Sequence, residues 1–234
     1  MRILRVTLAM GLSLVAFSSL RAETSFGRQW MDHYYQNPRP NDFVRGVDSL
    51  NREGYFDAVV QPDIAIGFFS AVFKQNPQQV ERWLRASAPL LSERPRRILA
   101  AAAWLAGSPA GAQRMLDMSA RDDSDERAAV VQMAMNGPSA PVADIAVSSE
   151  PALNLQWGAF LATGNERYIT NVLAALGSNQ PGLATSACFT LAQNAAADPH
   201  VLQICRTQLD RQPESIRAEF QSALNDATGR KPSA

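Results

Sequence analysis

The chain has 234 residues, with 22 basic and 22 acidic side chains, 46% apolar residues and a mean hydropathy of −0.16. This balance leaves no electrostatic footprint for nucleic acid or anionic lipid. The length suffices for one large or two small domains that bury a core without metal or many disulfides.

The chain begins MRILRVTLAMGLSLVAFSSLRAETS. Arg2 and Arg5 give a positive start, Val6 to Leu20 is uncharged and largely apolar, and Ala22 is a small residue at a cleavage point. That is the layout of a secretory signal peptide over residues 1–22. The apolar run of 15 residues falls short of the ~20 needed to cross a bilayer. An uncleaved anchor is the alternative. No Cys follows the run to accept a lipid, and no later segment is apolar enough to span a membrane. The expected product is soluble and periplasmic or secreted, cut near Ala22. Removing Arg2, Arg5 and Arg21 leaves 19 basic against 22 acidic residues, a net charge of −3.

Helical punctuation fills the rest. Phe26, Trp30 and Tyr34 recur at four-residue steps and predict a helix to Tyr35, stopped by Asn37-Pro38 and Pro40. Phe43, Val47 and Leu50 mark a second, closed by Gly54 in the left-handed manner. Pro62 opens a third, with Ala65, Phe68, Phe69 and Val72 at helical spacing. Asn76-Pro77 starts another through Val80, Trp83 and Leu84, and Ser92 caps one reaching Ala106. Gly107-Ser108-Pro109 breaks before a short helix through Met115 and Leu116. The run ARDDSDER then leads into Val130, Val131 and Met133, ending at Gly137. Residues 137–151, with three prolines, read as a connection with Val142, Ile145 and Val147 partly buried. Beyond it, Leu153, Trp157, Phe160 and Leu161 share one helical face. Ile169, Val172, Leu173 and Leu176 share the next. Pro181, Pro199 and Pro213 open three more helices. Residues 228–234 read as a disordered tail.

The expected fold is therefore all-α, about eleven helices in stacked antiparallel hairpins resembling a solenoid. It has an N-terminal half (23–136), a connection (137–151) and a C-terminal half (152–227). WLAGSPAGAQRML from Trp104 echoes FLATGNERYITNVL from Phe160, a degenerate repeat of an aromatic-Leu-Ala helix end before a second amphipathic helix. HYYQNPRP from His33, IGFFSAVFKQNP from Ile66, WGAFLATGNERY from Trp157 and LAQNAAADPHVLQIC from Leu191 resemble a family of uncharacterised exported bacterial all-helical proteins. The resemblance spans most of the chain after the leader. It implies export and an all-α fold and assigns no activity to any residue.

Catalytic and metal motifs are scarce. Cys188 and Cys205 lie 17 residues apart on consecutive predicted helices. In an oxidising compartment they are expected to pair, which would contribute about 3 kcal/mol for a loop of this size. Two buried free thiols are the alternative. A C-x-x-C motif is absent. The two histidines, His33 and His200, have no His or Cys at helical ligand spacing, so neither begins a zinc site. His200 is expected to help cap a helix start. An EF-hand frame on Asp122 puts Arg127 sixth and Met133 twelfth, where Gly and Glu are required. No G-x-S-x-G, S-x-x-K, P-loop or G-x-G-x-x-G occurs. No cofactor or metal is expected.

What remains is surface. Asp122, Asp123, Asp125 and Glu126 form an acidic candidate interface, and Arg94, Arg96 and Arg97 a basic one. Tyr34 and Tyr35 are adjacent, so both cannot face inward fully, and one is a candidate surface anchor. The expectation is a non-enzymatic, exported helical-repeat protein that binds a partner protein, as a toxin-neutralising immunity protein or an envelope adaptor. The alternative is a cell-wall-directed hydrolase using scattered carboxylates, with Trp30, Tyr34, Tyr35, Trp83 and Trp157 as candidate cleft aromatics.

Overall fold

A computed structural model describes residues 25–58, 62–120, 127–138 and 140–229. Among these residues there are thirteen α-helices, several short 3-10 turns and no strand. In chain order they are α1 (Phe26–Asp32), α2 (Phe43–Arg52), α3 (Tyr55–Ala58), α4 (Asp63–Gln75), α5 (Val80–Ser87) and α6 (Glu93–Leu105). There follow α7 (Pro109–Ser119), α8 (Arg127–Asn136), α9 (Glu150–Thr163), α10 (Glu166–Ala174), α11 (Pro181–Ala197), α12 (Pro199–Leu209) and α13 (Glu214–Gly229). The expected signal peptide lies outside the described residues. None of the described helices is long and apolar enough to cross a membrane.

The punctuation acts as local chemistry demands. Pro109, Pro181 and Pro199 open α7, α11 and α12, where a missing N–H leaves no helical bond unmade. Asp198 caps α12 by accepting the His200 N–H at 2.8 Å, and Asn165 caps α10 by accepting that of Arg167 at 3.0 Å. The echoed hairpins share one turn geometry. Gly107 (φ 79°) follows α6 and Gly164 (φ 63°) follows α9, both in the left-handed region, and Ser108 or Asn165 begins the next helix.

Two ends differ from expectation. α1 stops at Asp32 rather than Tyr35, because the Tyr35 N–H donates to Leu161 O of α9 (3.1 Å) instead of to its own helix. α13 runs through Thr228 and Gly229, inside the expected tail, with the Thr228 hydroxyl donating to Leu224 O at 2.8 Å.

Two apolar clusters form the interior. The first is aromatic: Trp30, Phe43, Phe68, Phe69, Phe73 and Trp83, with Phe43 and Trp83 stacked at 4.4 Å. The second joins Leu153, Trp157, Phe160, Ile169, Leu191, Ile204 and Phe220. α4 and α9 are buried on most sides, as expected of helices that are apolar all round. α9 serves both clusters, sending Ala159 and Ala162 into the first and Leu153, Trp157 and Phe160 into the second.

The most extensive packing joins α4 to α9, helices far apart in the chain. A Cβ on Gly67 would lie 2.2 Å from Leu155 O, and one on Gly158 would lie 2.0 Å from Ile64 O and 2.6 Å from the Phe68 nitrogen. Each helix thus presents a glycine to the other's backbone. Neighbouring pairs such as α6–α7, α9–α10 and α11–α12 also pack together. A solenoid whose repeats touch only their neighbours does not describe the α4–α9 seam.

The 137–151 connection is pinned rather than loose. Val142 is buried, and Ile145 and Val147 are half-buried. Buried Gln156 of α9 donates to Val142 O and Ile145 O, both at 2.8 Å, and accepts from Asn171 Nδ2 at 3.2 Å. One buried side chain thus ties two backbone carbonyls of the connection to α9, and Val142 O also accepts the Ile145 N–H at 3.1 Å.

Two measurements follow. Gly158→Ala should lower the free energy of unfolding by about 3 kcal/mol, since backbone rather than a pliable side chain blocks the added methyl. Gly182→Ala, where a Cβ meets nothing within 4 Å, should leave stability unchanged or raise it by up to about 1 kcal/mol. Chemical denaturation reads both. Burial also pushes the phenols of Tyr34 and Tyr55 up to about 12 and raises those of Tyr35 and Tyr168. A raised phenol pKa favours folding while the group stays protonated. The contribution is therefore complete below pH 10 and is lost as pH climbs toward about 12. Tyrosinate absorbance should rise together with loss of helical circular dichroism in that window.

Candidate interaction surface

The sequence-predicted contact residues separate into three groups. Tyr34 is a core residue, 1% exposed, edge-on to Trp30 at 5.3 Å and to Phe68 at 5.4 Å. Tyr35 is half-buried. Its hydroxyl donates to Asp198 Oδ2 at 2.7 Å, and its ring lies 5.4 Å from Phe160 and 5.8 Å from His200. Tyr34 is therefore no surface anchor, while Tyr35 keeps part of its surface. The turn after α1 sends Tyr34 toward α4 and makes Tyr35 a strap across α9 and α12. His200 shares in that strap. Its Nε2 lies 3.0 Å from Gly164 O, and since a carbonyl only accepts, the Nε2–H tautomer makes the bond. Capping of α12 falls to Asp198, with His200 as the capped residue.

Arg94, Arg96 and Arg97 are exposed on the first turns of α6, and Arg97 pairs with Glu93 at 2.5 Å. Asp122, Asp123, Asp125 and Glu126 lie outside the described residues.

The expected disulfide is not formed: Cys188 and Cys205 are free thiols. Cys205 is fully buried in the second cluster. Cys188 is half-buried in a shallow hollow with Leu176, Ala184, Ile216 and Glu219. Consecutive helices are not enough to pair them. α13 packs on α11 and takes the Cys188 side, while Cys205 points into the core. Burial raises both thiols, that of Cys205 to about 12, and the Glu219 charge adds to the rise at Cys188. Native-state alkylation at mild alkaline pH should label Cys188 slowly and Cys205 only after unfolding. Recovery of disulfide-joined peptides would contradict this.

The aromatic residues suited to a sugar-binding cleft are interior. Trp30, Tyr34, Trp83 and Trp157 are each at most 5% exposed. One carboxylate is perturbed at the α1–α2 seam. Burial raises Asp32, against the opposing charges of Arg28 and His33, and neighbouring Glu53 adds to the rise. Glu53 Oε1, however, holds α1 in place, accepting from the Gly27 N–H at 3.1 Å and the Ser49 hydroxyl at 2.5 Å. Among the described residues no group of three His, Cys, Asp or Glu is placed to hold a metal ion.

The unexpected feature is α8. Its sequence, RAAVVQMAMN, is largely apolar, yet only Ala134 is buried. Met133 is 47% exposed and Met135 73%. α8 packs chiefly on α7, and the Trp104 indole of α6 donates to Met133 O (3.1 Å), one of its terminal carbonyls. Beside it, α6 and α7 approach closely at Gly111, where a Cβ would lie 2.2 Å from the Trp104 nitrogen. The three helices enclose a groove of about 180 Å³ with Ala100, Ala101, Met115, Met118 and Val130 inside and Arg97 and Arg127 at its edges. Sequence analysis placed Val130, Val131 and Met133 on a helix without assigning them a face. The available signal was the clustering of Met115, Met118, Met133 and Met135 within 21 residues, four of the seven methionines. Comparison with protein-family models, curated proteins and solved structures gives no match.

Proposed function

We propose that this is a binding module that recognises another protein through the surface of α6, α7 and α8. The observation that carries the reading is α8 itself: an apolar helix that packs chiefly on α7, with Met133 and Met135 turned outward. Contiguous exposed apolar surface marks interaction sites, and methionine side chains adapt to varied partners. The leader-like residues 1–22 and the resemblance to exported helical proteins support a periplasmic setting. There an immunity protein that blocks a toxin, or an envelope adaptor, fits this surface.

A photo-crosslinking residue at Met135 of the exported protein should give one discrete crosslinked protein species. The same residue at Phe189, another exposed apolar position (43%), should not. Met133→Asp/Met135→Asp should leave the circular dichroism and melting of the free protein nearly unchanged and remove protein capture by a crosslinker placed at Gln132. Absence of any crosslinked protein from position 135 would overturn the reading.

A further inference from the structure

Resting on the reading of α8 as a contact surface, we infer that Met133 and Met135 form a reversible oxidation site. A peroxide converts both thioethers to sulfoxides and silences that surface while the fold stays intact. Exposure argues first. Five methionines fall within the described residues. Met31 is 2% exposed in the aromatic cluster, Met115 and Met118 are half-buried, and Met133 and Met135 are 47% and 73% exposed. Access to the five side chains is thus graded, and its open end lies on α8. Positions two apart do not face each other on a helix, so the pair alters two sides of α8 rather than one.

Chemistry argues second. A lone pair of the thioether sulfur attacks one oxygen of hydrogen peroxide, forming an S–O bond as the O–O bond breaks. The proton left on the new S–O oxygen moves to the departing oxygen, which leaves as water. Sulfur loses two electrons and the peroxide gains them. No methionine has to ionise first. A thiol reacts as its thiolate, and burial raises both Cys188 and Cys205, the latter to about 12. At mildly acidic pH the α8 thioethers are therefore the open sulfur among the described residues. The product suits a switch, because a sulfoxide is polar where the thioether was apolar. The fold tolerates it there, since only Ala134 of α8 is buried. The contact from Trp104 Nε1 to Met133 O at 3.1 Å uses the backbone and not the thioether. At Met31 the same oxygen would be buried among aromatic rings.

The test treats the exported protein, carrying the crosslinker at Gln132, with hydrogen peroxide at mildly acidic pH. Catalase removes the peroxide before periplasmic extract is added, and peptide mass mapping follows each methionine. Sulfoxide should appear first at Met135 and Met133, and at Met31 at least about tenfold more slowly, through unfolding. Circular dichroism should hold while the α8 pair converts. Capture from Gln132 should fall in step with that conversion, be lost when it is complete, and return when methionine sulfoxide reductases restore the thioethers. Oxidation of Met31 as early as Met135, loss of helical signal with the α8 conversion, or capture that reductase treatment leaves lost overturns the inference. The untreated protein reports separately. If it captures a partner and the oxidised protein captures equally, only the oxidation site falls and recognition through α8 survives. If it captures nothing, the wider reading falls and this inference with it.

Discussion

The fold depends on the seam where α4 and α9 meet backbone to backbone. Gly67 and Gly158 face it from opposite sides, each against carbonyl oxygens and amide groups of the other helix that cannot swing away. Helices α1, α6, α10 and α11 pack directly on one or other of that pair. The aromatic cluster sits on the α4 side, with Phe68, Phe69 and Phe73 as its spine. The aliphatic cluster sits on the far side of α9, built on Leu153, Trp157 and Phe160. Because α9 belongs to both, the two halves of the chain share one interior. The connection between them is fastened to the same helix through Gln156.

This arrangement explains why α8 stands apart. Tight packing around α4 and α9 consumes most apolar surface in the chain. Among the described residues Met133 and Met135 on α8 are two of the four large apolar side chains that are exposed. α8 follows α7, which itself leans on α6 through Gly111. It is thus a third layer outward from the α4 seam, too far from either cluster to contribute to it. Its apolar residues gain little from the folded monomer, and burial against another surface is the outlet they retain.

Much of the architecture was legible in the sequence because helix boundaries are local chemistry. Proline openings, glycine closures and i, i+3, i+4 spacing locate the helices within a few residues, and the Gly107 and Gly164 turns share the geometry their echo implied. What escaped was long-range. Gly67 and Gly158 read as neutral positions in apolar runs, since nothing local says that another backbone lies against them. The cysteine pair looked sound on helical phase alone, and failed because α13, 25 or more residues further on than Cys188, occupies the space on that side. Tyr34 and Tyr35 were correctly seen as unable to share one face, but the outward member became a strap to Asp198 rather than a free anchor. On α8, the fold leaves Val130 and Val131 half-buried and Met133 and Met135 exposed among the described residues, which no local pattern announces.

The proposed recognition role rests on two features, the rigid α4–α9 seam and the outlying apolar helix α8. Native-state hydrogen exchange followed residue by residue tests this division most directly. The account predicts that amides of α4 and α9 exchange together and only through global unfolding, while those of α8 exchange through a far cheaper local opening. Protection of α8 equal to that of α9 in the free protein, or exchange of α4 and α9 in separate steps, would contradict it.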